Sequence, residues 1–561
     1  MPPVAGGITQ PPPGPVRMMA EWEEVGVLAV TWHKDVHTEV LSEIIRHART
    51  QCTVLVHCMN AAGIENAKTE LLRRGIDTSS NVLFTEARSN SIWIRDYGAN
   101  AVYLNEVDSL VLTDWIYNRL RPLDDTLALK TARILGRPLY VTTLPPYQLT
   151  NTGGNVLTDG MGTAFSSKLV LKENQPGSPW VQQYHDEAGI DSVMRRFTGI
   201  RRYLKMDMLP YDGIHHVDMH LKLLDEETLL VGQYPEGVSD GPQIEANLQY
   251  LLSQESVFGR PYRVIRMPMP PVEGQYPPFD HDPLKAYLYP TYVNSLILNR
   301  IILMPAYGTA FDEQAKKVYE AAMPGYRVIP IHCGNLIYEG GALHCITKET
   351  GNTQPLRIVH RPARSIVGPV AADYLVEALI QHRSGIESAT VYYTADSSSV
   401  VWTAVPMRVS ANPDSLDYWT GYIPRSAFAG EEERTLYYYI EATAHNGKKQ
   451  VRPMPAPKGW WPLRISRVSS VAEATGVYLS APFPNPARAI TCIPVESRTA
   501  IRGAVLLCTA AGEKVETIFE GLMPSGPSRY FLDASRFVPG LYFVVIQGAG
   551  GIMARHLLIM K

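Results

Sequence analysis

The chain has 561 residues, of which 45% are hydrophobic and 19% charged, and its formal net charge is −3. A single hydrophobic core stops growing at roughly 250–300 residues, so the length predicts several domains, and we expect three. The weak net charge supplies no basic field for nucleic acid, and no apolar run approaches the ~18 residues of a membrane span.

The N-terminal stretch MPPVAGGITQPPPGPVRMMA is rich in proline and glycine and lacks the apolar region of a signal peptide. We therefore interpret residues 1–20 as a disordered leader. The six cysteines are too few for a disulfide scaffold. Cys492 and Cys508 lie in one strand-rich segment, and the sequence leaves open whether they pair.

From Val25 to about Lys348, short apolar strands alternate with amphipathic helices. The series begins with VGVLAVTW, VLSEIIRHART, CTVLVHC, ENAKTELLRRG and VLFTEA, and looser copies follow. Helices are predicted over residues 243–252 and 311–322, each before a further strand. This pattern predicts an α/β domain over residues 21–355, with the functional residues in loops and at strand ends.

Beyond about residue 355 the pattern changes to alternating, tyrosine-rich strands such as TLYYYIEATA. It predicts a β-sandwich over residues 356–464. The tract RPMPAPKGWWP has the composition of a domain edge, and a second all-β domain is predicted over residues 465–561. Neither β domain contains a polar constellation that indicates chemistry.

Two loop segments in the α/β domain combine charged and aromatic residues. In WIRDYG, Asp96 follows an arginine and stands between aromatic residues, which fits either a site or a local ion pair. In YNRLRP, Arg119 and Arg121 are one residue apart and point to the same side of an extended segment. They can bind one carboxylate together, or they are simply solvated.

A cluster of histidines and an aspartate occurs in GIHHVDMH. On the strand that we predict here, His216, Asp218 and His220 share one face. A metal site would need further ligands, which the sequence does not supply at ligand spacing. The remaining interpretations are a structural histidine held by the aspartate, or acid–base chemistry near neutral pH.

The segment EGGALHC ends at Cys345. Its paired glycines allow the backbone to approach a ligand closely, and the cysteine follows at a predicted strand end. Cysteines in apolar runs are most often inert buried residues, so this segment alone does not establish a nucleophile.

Together, WIRD, HVD, Asn294-Ser295 and GGALHC resemble motifs of the guanidine-modifying superfamily, in the branch of bacterial peptidylarginine deiminases and agmatine deiminases. The resemblance covers roughly residues 21–350, with the four motifs in the same order. It implies the pentein fold, a five-bladed α/β propeller of ββαβ-type units around a pseudo-fivefold axis. The two β domains that follow would both be immunoglobulin-like sandwiches, and the site would lie at the centre of the ring.

The resemblance implies Cys345 as the nucleophile, His216 as the general acid and base, and Asp96 and Asp218 as the carboxylates that bind the guanidinium. A guanidinium is planar and always charged, so carboxylates on different sides hold it rigidly. A buried cation beside the cysteine favours the thiolate, which is the attacking form. The expected products are citrulline and ammonia, with no metal, calcium or organic cofactor required.

Two further residues take roles from the same resemblance. Asn294 is expected to make an orienting hydrogen bond at the site, and Trp93 is expected to contact the substrate. The segment YNRLRP resembles the YNRPRP-type segment of secreted bacterial peptidylarginine deiminases, whose two arginines bind the carboxylate of a C-terminal arginine. Arg119 and Arg121 match this segment, while Leu120 replaces a proline and leaves the loop less rigid.

Agmatine has no carboxylate for these arginines, so we expect the partner to be a peptide or protein ending in arginine, or free arginine. The tail segments APFPNP and FVPGLY resemble the sorting domain of the type IX secretion pathway, which implies a secreted or cell-surface protein. The alternatives are an agmatine deiminase, an amidinotransferase, or a surface binding protein on a pentein scaffold. The presence of all four expected catalytic residues argues against the binding protein.

Overall fold

The computed structural model describes residues 6–279, 285, 287–363, 366–367, 373–410, 417–428, 433–466, 477–548 and 551–560. The chain divides into two compact units, of which the first ends at Arg357 and also includes Gln381–Gly385. This end lies close to the predicted boundary at residue 355. No helix within the described ranges is long and apolar enough to cross a membrane.

The first unit contains seventeen strands and eight α-helices in its described part. The strands are β1 (Val16–Met18), β2 (Val25–Trp32), β3 (Thr53–Cys58), β4 (Val82–Glu86), β5 (Asn100–Leu104), β6 (Ser109–Asp114), β7 (Leu139–Val141), β8 (Leu157–Thr158), β9 (Thr163–Ser167), β10 (Arg202–Met206), β11 (Leu221–Leu223), β12 (Thr228–Gln233), β13 (Arg263–Pro268), β14 (Leu296–Leu298), β15 (Ile301–Ala306), β16 (Arg327–His332) and β17 (Lys348–Gly351). The helices are α1 (Thr38–Ala48), α2 (Ala61–Arg73), α3 (Ile94–Tyr97), α4 (Leu127–Leu135), α5 (Leu169–Asn174), α6 (Glu187–Thr198), α7 (Gly241–Leu252) and α8 (Ala310–Ala322).

These strands form five sheets with one shared connectivity. The sheets have the orders β1-β5-β6-β7, β8-β9-β10, β11-β12-β13, β14-β15-β16 and β17-β2-β3-β4. Each contains an antiparallel pair followed by a parallel pair, as in β14/β15 and β15/β16. In each sheet the strands of that parallel pair are joined through one or two α-helices. The mixed α/β fold predicted for this region is confirmed.

The first and last parts of this unit share a sheet. Strand β17 pairs antiparallel with β2, so that Lys348 lies opposite Ala29. Because β17 begins three residues after Cys345, this pairing fixes the end of the EGGALHC segment. The sequence of this unit explains its elements: every residue of β15 is buried, as expected for a central strand, and α8 begins with a capping box of Thr309 and Asp312.

The prediction of a disordered leader is wrong for its described part. Val16–Met18 forms β1, which pairs antiparallel with β5, and all three residues are buried. Arg17 is neutralised by an ion pair with Glu23, which allows a charged side chain in a buried strand. The proline-rich composition concealed this short strand, because VRM has no periodicity to detect. Residues 1–5 of the predicted leader lie outside the described residues.

The second unit is built from strands and short 3-10 turns in its described part. The strands, counted from the junction, are β18 (Arg357–His360), β19 (Ile366–Val367), β20 (Tyr374–Gln381), β21 (Ile386–Thr394), β22 (Thr403–Pro406), β23 (Arg408–Val409), β24 (Tyr418–Ile423), β25 (Glu433–Ala444), β26 (Lys449–Arg452), β27 (Trp461–Ser466), β28 (Val477–Leu479), β29 (Ile490–Ser497), β30 (Ile501–Thr509), β31 (Lys514–Met523), β32 (Gly526–Asp533), β33 (Gly540–Gly548) and β34 (Gly551–Ile559). They form four sheets, and no sheet mixes strands from before and after residue 467.

One expectation about this unit changes, and one question that the sequence left open is answered. The predicted boundary between residues 464 and 465 falls inside β27, which pairs with β25, so the first group of strands extends to Ser466. Cys492 and Cys508 are both buried and free, and they lie on β29 and β30, which belong to different sheets. The alternation that predicted strands is correct in β25, where Leu436, Tyr438 and Ile440 are buried.

Candidate active site

One segment from each of the five connections between successive sheets contributes to a single site. Asp96 lies between β4 and β5, Gly154 between β7 and β8, and Asp218 between β10 and β11. Asn294 precedes β14 directly, and Cys345 lies between β16 and β17. Segments separated by as many as about 250 residues of sequence therefore meet, and the contacts described below join them.

Cys345 is 2% exposed and is held by an amide side chain. Asn294 donates from Nδ2 to Cys345 Sγ at 3.2 Å. The Asn294 Oδ1 atom accepts hydrogen bonds from the backbone N–H groups of Ala342, His344 and Cys345 at 3.2, 3.1 and 3.4 Å. One side chain thus fixes both the turn before the cysteine and the direction of its thiol.

Trp93 lies against the same turn. An ideal Cβ built on Gly341 would lie 2.5 Å from the Trp93 ring atom Cζ3 and 3.0 Å from Cys345 Sγ. Only glycine therefore allows the indole to approach the cysteine this closely. The structure places Trp93 as one wall of the space around the thiol.

Asp96, Asp218 and His216 converge on Gly154. A Cβ at Gly154 would lie 2.6 Å from His216 Nδ1, 2.9 Å from Asp96 Oδ1 and 3.3 Å from Asp218 Oδ1. His216 Nδ1 is 3.5 Å from Asp96 Oδ1, and its Nε2 lies 3.1 Å from the Thr152 hydroxyl. His216 Nδ1 and Asp218 Oδ1 are buried without a hydrogen-bond partner among the described residues. Buried polar atoms are normally paired, so this arrangement suits a ligand with several N–H donors.

The predicted strand through this cluster is wrong. Val217–Met219 forms a 3-10 helix, and His215 before it has a positive φ of 57°. His220 consequently leaves the face of His216 and Asp218, and its ring nitrogens have no hydrogen-bond partner in the described chain. Burial lowers the pKa of His220 to about 4, against a smaller opposing effect of Asp218. Across the described ranges, no cluster of three His, Cys, Asp or Glu side chains is arranged to hold a metal ion.

Burial and the charges of Asp218 and Asp96 raise the pKa of the Cys345 thiol well above its usual value. Burial also opposes ionisation of Asp218, but a hydrogen bond from His344 and the charges around it lower its pKa below the usual range. The site without substrate therefore favours a neutral thiol beside an ionised carboxylate. A cation placed between the carboxylates would reverse the preference of the thiol.

A second layer of charged residues supports the site, and sequence reasoning missed it. His344 Nδ1 bonds Asp218 Oδ2 at 2.7 Å. Arg95 pairs with Glu349 and not with its neighbour Asp96, and it donates to the backbone oxygen of His344 at 3.1 Å. His344 could be noticed only as the residue before Cys345. No sequence signal links Arg95 with Glu349, because 254 positions separate them.

Behind this layer lies a cavity of about 40 Å³ lined by Glu21, Arg95, His344, Lys348 and Glu349 among others. Lys348 donates to Asn100 Oδ1 at 2.8 Å, and burial together with the Arg95 charge lowers its pKa to about 8. A cavity of this size and polarity has room for ordered water.

Arg119 and Arg121 lie on the loop between β6 and α4. Both are half-buried, and neither forms a salt bridge within the described part of the chain. Arg119 donates to the backbone oxygen of Asn118 at 2.9 Å, and Arg121 Nη1 lies 3.5 Å from the Tyr117 hydroxyl. The ring of Tyr117 packs edge-on against Tyr97 of α3, with ring centroids 5.6 Å apart. The loop is therefore attached to the helix that carries Asp96.

The same loop contacts a buried carboxyl group. Asn118 donates from its side chain to Glu173 Oε1. Burial raises the pKa of Glu173 to about 7, while the Asn118 hydrogen bond and the Arg119 charge oppose this shift. Leu120, between the two arginines, is 80% exposed.

The α/β fold, with its buried cysteine, histidine and paired aspartates, is that of a guanidine-modifying deiminase of the pentein superfamily. Residues 17–350 match the family model described as Porphyromonas-type peptidyl-arginine deiminase, and the chain belongs to this family. The resemblance to peptidylarginine and agmatine deiminases expected from the motifs is confirmed.

Individual relatives are distant. The chain is 25% identical over 318 residues to the agmatine deiminase of Ectopseudomonas mendocina, a match that covers 52% of this chain and 81% of that protein. It is likewise 25% identical over 321 residues to the agmatine deiminase of Pseudomonas aeruginosa, with coverage of 52% and 81%. The solved agmatine deiminase of Enterococcus faecalis is 19% identical with a TM-score of 0.51, covering 63% of this chain and 100% of that one. The structural likeness shows the fold alone.

Proposed function

We propose that this protein hydrolyses the guanidinium of arginine, preferentially at the C-terminus of peptides, to citrulline and ammonia. The observation that carries the substrate assignment is the pair Arg119 and Arg121. Both are half-buried and form no salt bridge in the described chain, on a loop packed against the Asp96 helix. Arginines so placed suit a substrate carboxylate, which they can bind through paired N–H donors.

The site residues supply a complete reaction. Asp96 and Asp218 bind the guanidinium, whose charge favours the thiolate of Cys345. The sulfur attacks the guanidinium carbon, a C–N bond breaks, and His216 gives a proton to the leaving ammonia. His216 then takes a proton from water, the resulting hydroxide attacks the same carbon, and the C–S bond breaks to release citrulline. The proton that His216 gives to ammonia is the one that it takes from the Cys345 thiol, and the proton that it takes from water returns to the thiolate. The hydroxyl proton of the adduct leaves as the C–S bond breaks and is taken up by ammonia as ammonium. No atom changes its oxidation state, so the reaction needs no oxidant or reductant.

The positions of the assigned atoms support this proposed reaction. The unpartnered atoms His216 Nδ1 and Asp218 Oδ1 face the same space over Gly154, and Asp96 Oδ1 borders it. Asp218 Oδ2 lies 3.8 Å from Cys345 Sγ, which places the thiol beside a carboxylate that would hold the substrate. His216 Nε2 is hydrogen-bonded to the Thr152 hydroxyl, so Nδ1 is the nitrogen that would exchange protons with the substrate.

The proposal extends to the fold around the site. Five sheets that each contain an antiparallel pair followed by a parallel pair, with one site segment from each connection between them, support a five-bladed propeller with the site on its axis. In such a ring the pairing of β17 with β2 would close the circle.

A second candidate is agmatine deiminase, the name carried by the relatives in Ectopseudomonas mendocina and Pseudomonas aeruginosa. Agmatine presents the same guanidinium to the buried residues but offers no carboxylate to Arg119 and Arg121. The two functions therefore share their chemistry and differ at this loop.

The deciding experiment measures citrulline or carbamoyl product from three substrates at equal concentration with calcium chelated. They are a peptide ending in arginine, the same peptide with an amidated C-terminus, and agmatine. We expect the free C-terminal arginine to react fastest and the Cys345→Ala variant to be inactive on all three. Faster turnover of agmatine would contradict the substrate assignment, and activity that requires calcium would contradict the metal-free reaction.

We also propose that the protein is secreted or held at the cell surface, with an immunoglobulin-like sandwich and a type IX sorting domain after the catalytic domain. The segments APFPNP and FVPGLY support this, because they resemble the sorting domain of that pathway. Within the PNP motif, Asn485 accepts from the Leu558 N–H at 2.9 Å and donates to the His556 oxygen at 2.9 Å. The motif thus ties the start of the last group of strands to its final strand. In a host with this pathway we expect the full chain outside the cell, and retention inside would contradict the proposal.

A further inference from the structure

We propose that Glu21 is a positioning residue for the reaction, which acts through His344 to orient Asp218 toward the guanidinium. The inference rests on the proposed function of the site. Glu21 comes from the segment between β1 and β2, far from the motifs of the site in sequence. It was expected only as the first residue of the catalytic domain.

The Glu21 carboxylate is bound from three directions. Lys222 Nζ contacts its two oxygens at 2.8 and 2.6 Å, and the Ile297 N–H donates to Oε1 at 2.8 Å. His344 Nε2 lies 3.4 Å from Oε2. Lys222 is 1% exposed, so its charge has to be balanced within the interior. Strands β11 and β14 thereby fix the orientation of Glu21 before any substrate binds.

His344 transmits this fixed orientation to Asp218. Its Nε2 faces Glu21 and its Nδ1 bonds Asp218 Oδ2 at 2.7 Å, so the ring is held between two carboxylates. A ring held at both ends cannot rotate without breaking a charged contact. Its backbone is fixed too, because Asn294 and Arg95 bond the N–H and the oxygen of this residue.

The consequence appears at the other oxygen of Asp218. Since Oδ2 is bound by His344, Oδ1 remains as the unpartnered atom that faces Gly154 and His216. A carboxylate with one oxygen anchored presents the other in a single direction, which a planar guanidinium requires. The His344 contact also helps to keep Asp218 ionised against the effect of burial. Loss of the Glu21 charge should therefore loosen His344 and make Asp218 easier to protonate.

The charged and titratable groups around Asp218 define what else acts on it. They are Asp96, His216, His220, Asp212, Arg95, His344 and Cys345. Of these groups, Glu21 contacts His344, whereas it acts on Arg95 only through its charge. A change at Glu21 therefore tests chiefly the His344 contact.

Glu23 provides a matched control. It lies two residues from Glu21, is similarly buried, and pairs with Arg17 in the same way that Glu21 pairs with Lys222. It makes no contact with His344 or Asp218 in the described chain. A neutral variant at either position breaks one buried ion pair, but only Glu21→Gln alters the support of the site.

The test measures how fast 2-chloroacetamidine, a planar cation that alkylates thiols, labels Cys345 between pH 3 and 9 in the full chain. Labelling is followed by intact mass, with Cys345→Ala as the blank. Labelling should slow at acid pH as Asp218 becomes protonated. In Glu21→Gln we expect this decline to begin about one pH unit higher, which is a roughly tenfold loss of labelling rate at acid pH. Glu23→Gln should keep the wild-type profile.

Equal profiles for wild type, Glu21→Gln and Glu23→Gln would overturn the inference. If Glu21→Gln does not fold, the double variant Glu21→Gln/Lys222→Met removes both buried charges together, and the same shift is expected. Turnover distinguishes the two proposals. Wild-type labelling without conversion of any arginine substrate or agmatine would overturn the proposed function, whereas the labelling profiles alone decide the role of Glu21.

Discussion

Asn294 and Cys345 are joined twice: the Asn294 amide nitrogen donates to Cys345 Sγ at 3.2 Å, and its oxygen accepts from the Cys345 backbone N–H at 3.4 Å. The donor stabilises the thiolate that the surrounding carboxylates disfavour. The acceptor holds the turn that presents it. The Asn294 amide therefore opposes the rise in the pKa of the thiol, and the sulfur is the atom that has to be an anion in the proposed reaction.

Replacing Asn294 by Asp keeps the acceptor but removes the donor and adds a negative charge beside the sulfur. A hydrogen bond to a charged group is worth ~1.5–3 kcal/mol, so we expect kcat to fall by about 10- to 150-fold or more. Stopped assays on the peptide ending in arginine measure this. Asn299→Asp, at a half-buried structural amide that bonds Val25 and Gln51, should affect stability without this loss in kcat. Equal kcat for Asn294→Asp and wild type would contradict the assigned role.

Gly154→Ala should inactivate the enzyme while leaving its fold. The new methyl group would lie 2.6 Å from His216 Nδ1 and 2.9 Å from Asp96 Oδ1, in the space assigned to the guanidinium. We expect loss of turnover and of substrate binding, measured by initial rates and by calorimetry with a peptide ending in arginine. Gly63→Ala, on helix α2, is the control, because the atom nearest to its methyl group would lie 3.4 Å away. Binding of unchanged strength in Gly154→Ala would show that the guanidinium lies elsewhere.

Local pattern predicted much of the first unit. Helix α8 begins one residue before the predicted 311 and ends at the predicted 322, because its apolar spacing and its cap at Thr309 are visible in the sequence. The strand predicted through His216 and His220 is wrong, because alternation of residue types does not reveal the positive φ at His215 that starts a tight turn. The backbone conformation at His215, and not the alternation of residue types, determines the structure of that segment.

The motifs identified the residues that we assign to the reacting carbon but not the residues that support them. Cys345, Asn294 and Asp218 were selected because the resemblance supplied them, and the structure brings all three together. The ion pair of Glu21 with Lys222 joins residues 201 positions apart, and the contact lies beyond any periodicity of a helix or strand. Such pairs form only when the sheets pack together, so the local pattern of a single sequence does not predict them.

Arg119→Ala should discriminate among substrates. If Arg119 and Arg121 bind the substrate carboxylate, the variant should raise KM for a peptide ending in free arginine about tenfold or more, since a charged hydrogen bond is lost. The amidated peptide and agmatine should change little. Arg133→Ala, at an exposed arginine on α4, should leave all three values unchanged. An equal rise in KM for all substrates would contradict a carboxylate-binding role.

Glu173 should make stability depend on pH near neutrality. Its pKa rises from 4.5 to about 7 in the folded protein, chiefly through burial, so the folded state holds the proton more tightly than the unfolded chain. The stabilising contribution is therefore fully present below pH 4.5 and is lost as pH rises through 7. The shift corresponds to ~3 kcal/mol of unfolding free energy.

Urea unfolding at pH 5 and pH 8 tests this. Comparing variants with the wild type cancels the pH dependence that other titratable groups contribute. Glu173→Gln keeps an acceptor for Asn118 that stays neutral at both pH values. From pH 5 to pH 8 the unfolding free energy of the wild type should therefore fall by ~3 kcal/mol more than that of this variant. Glu65→Gln, on the exposed side of α2, should follow the wild type. If Glu173→Gln also follows the wild type, the carboxyl does not hold its proton in the folded protein. The carboxyl would then be ionised at neutral pH, and its charge would compete with the substrate carboxylate for Arg119.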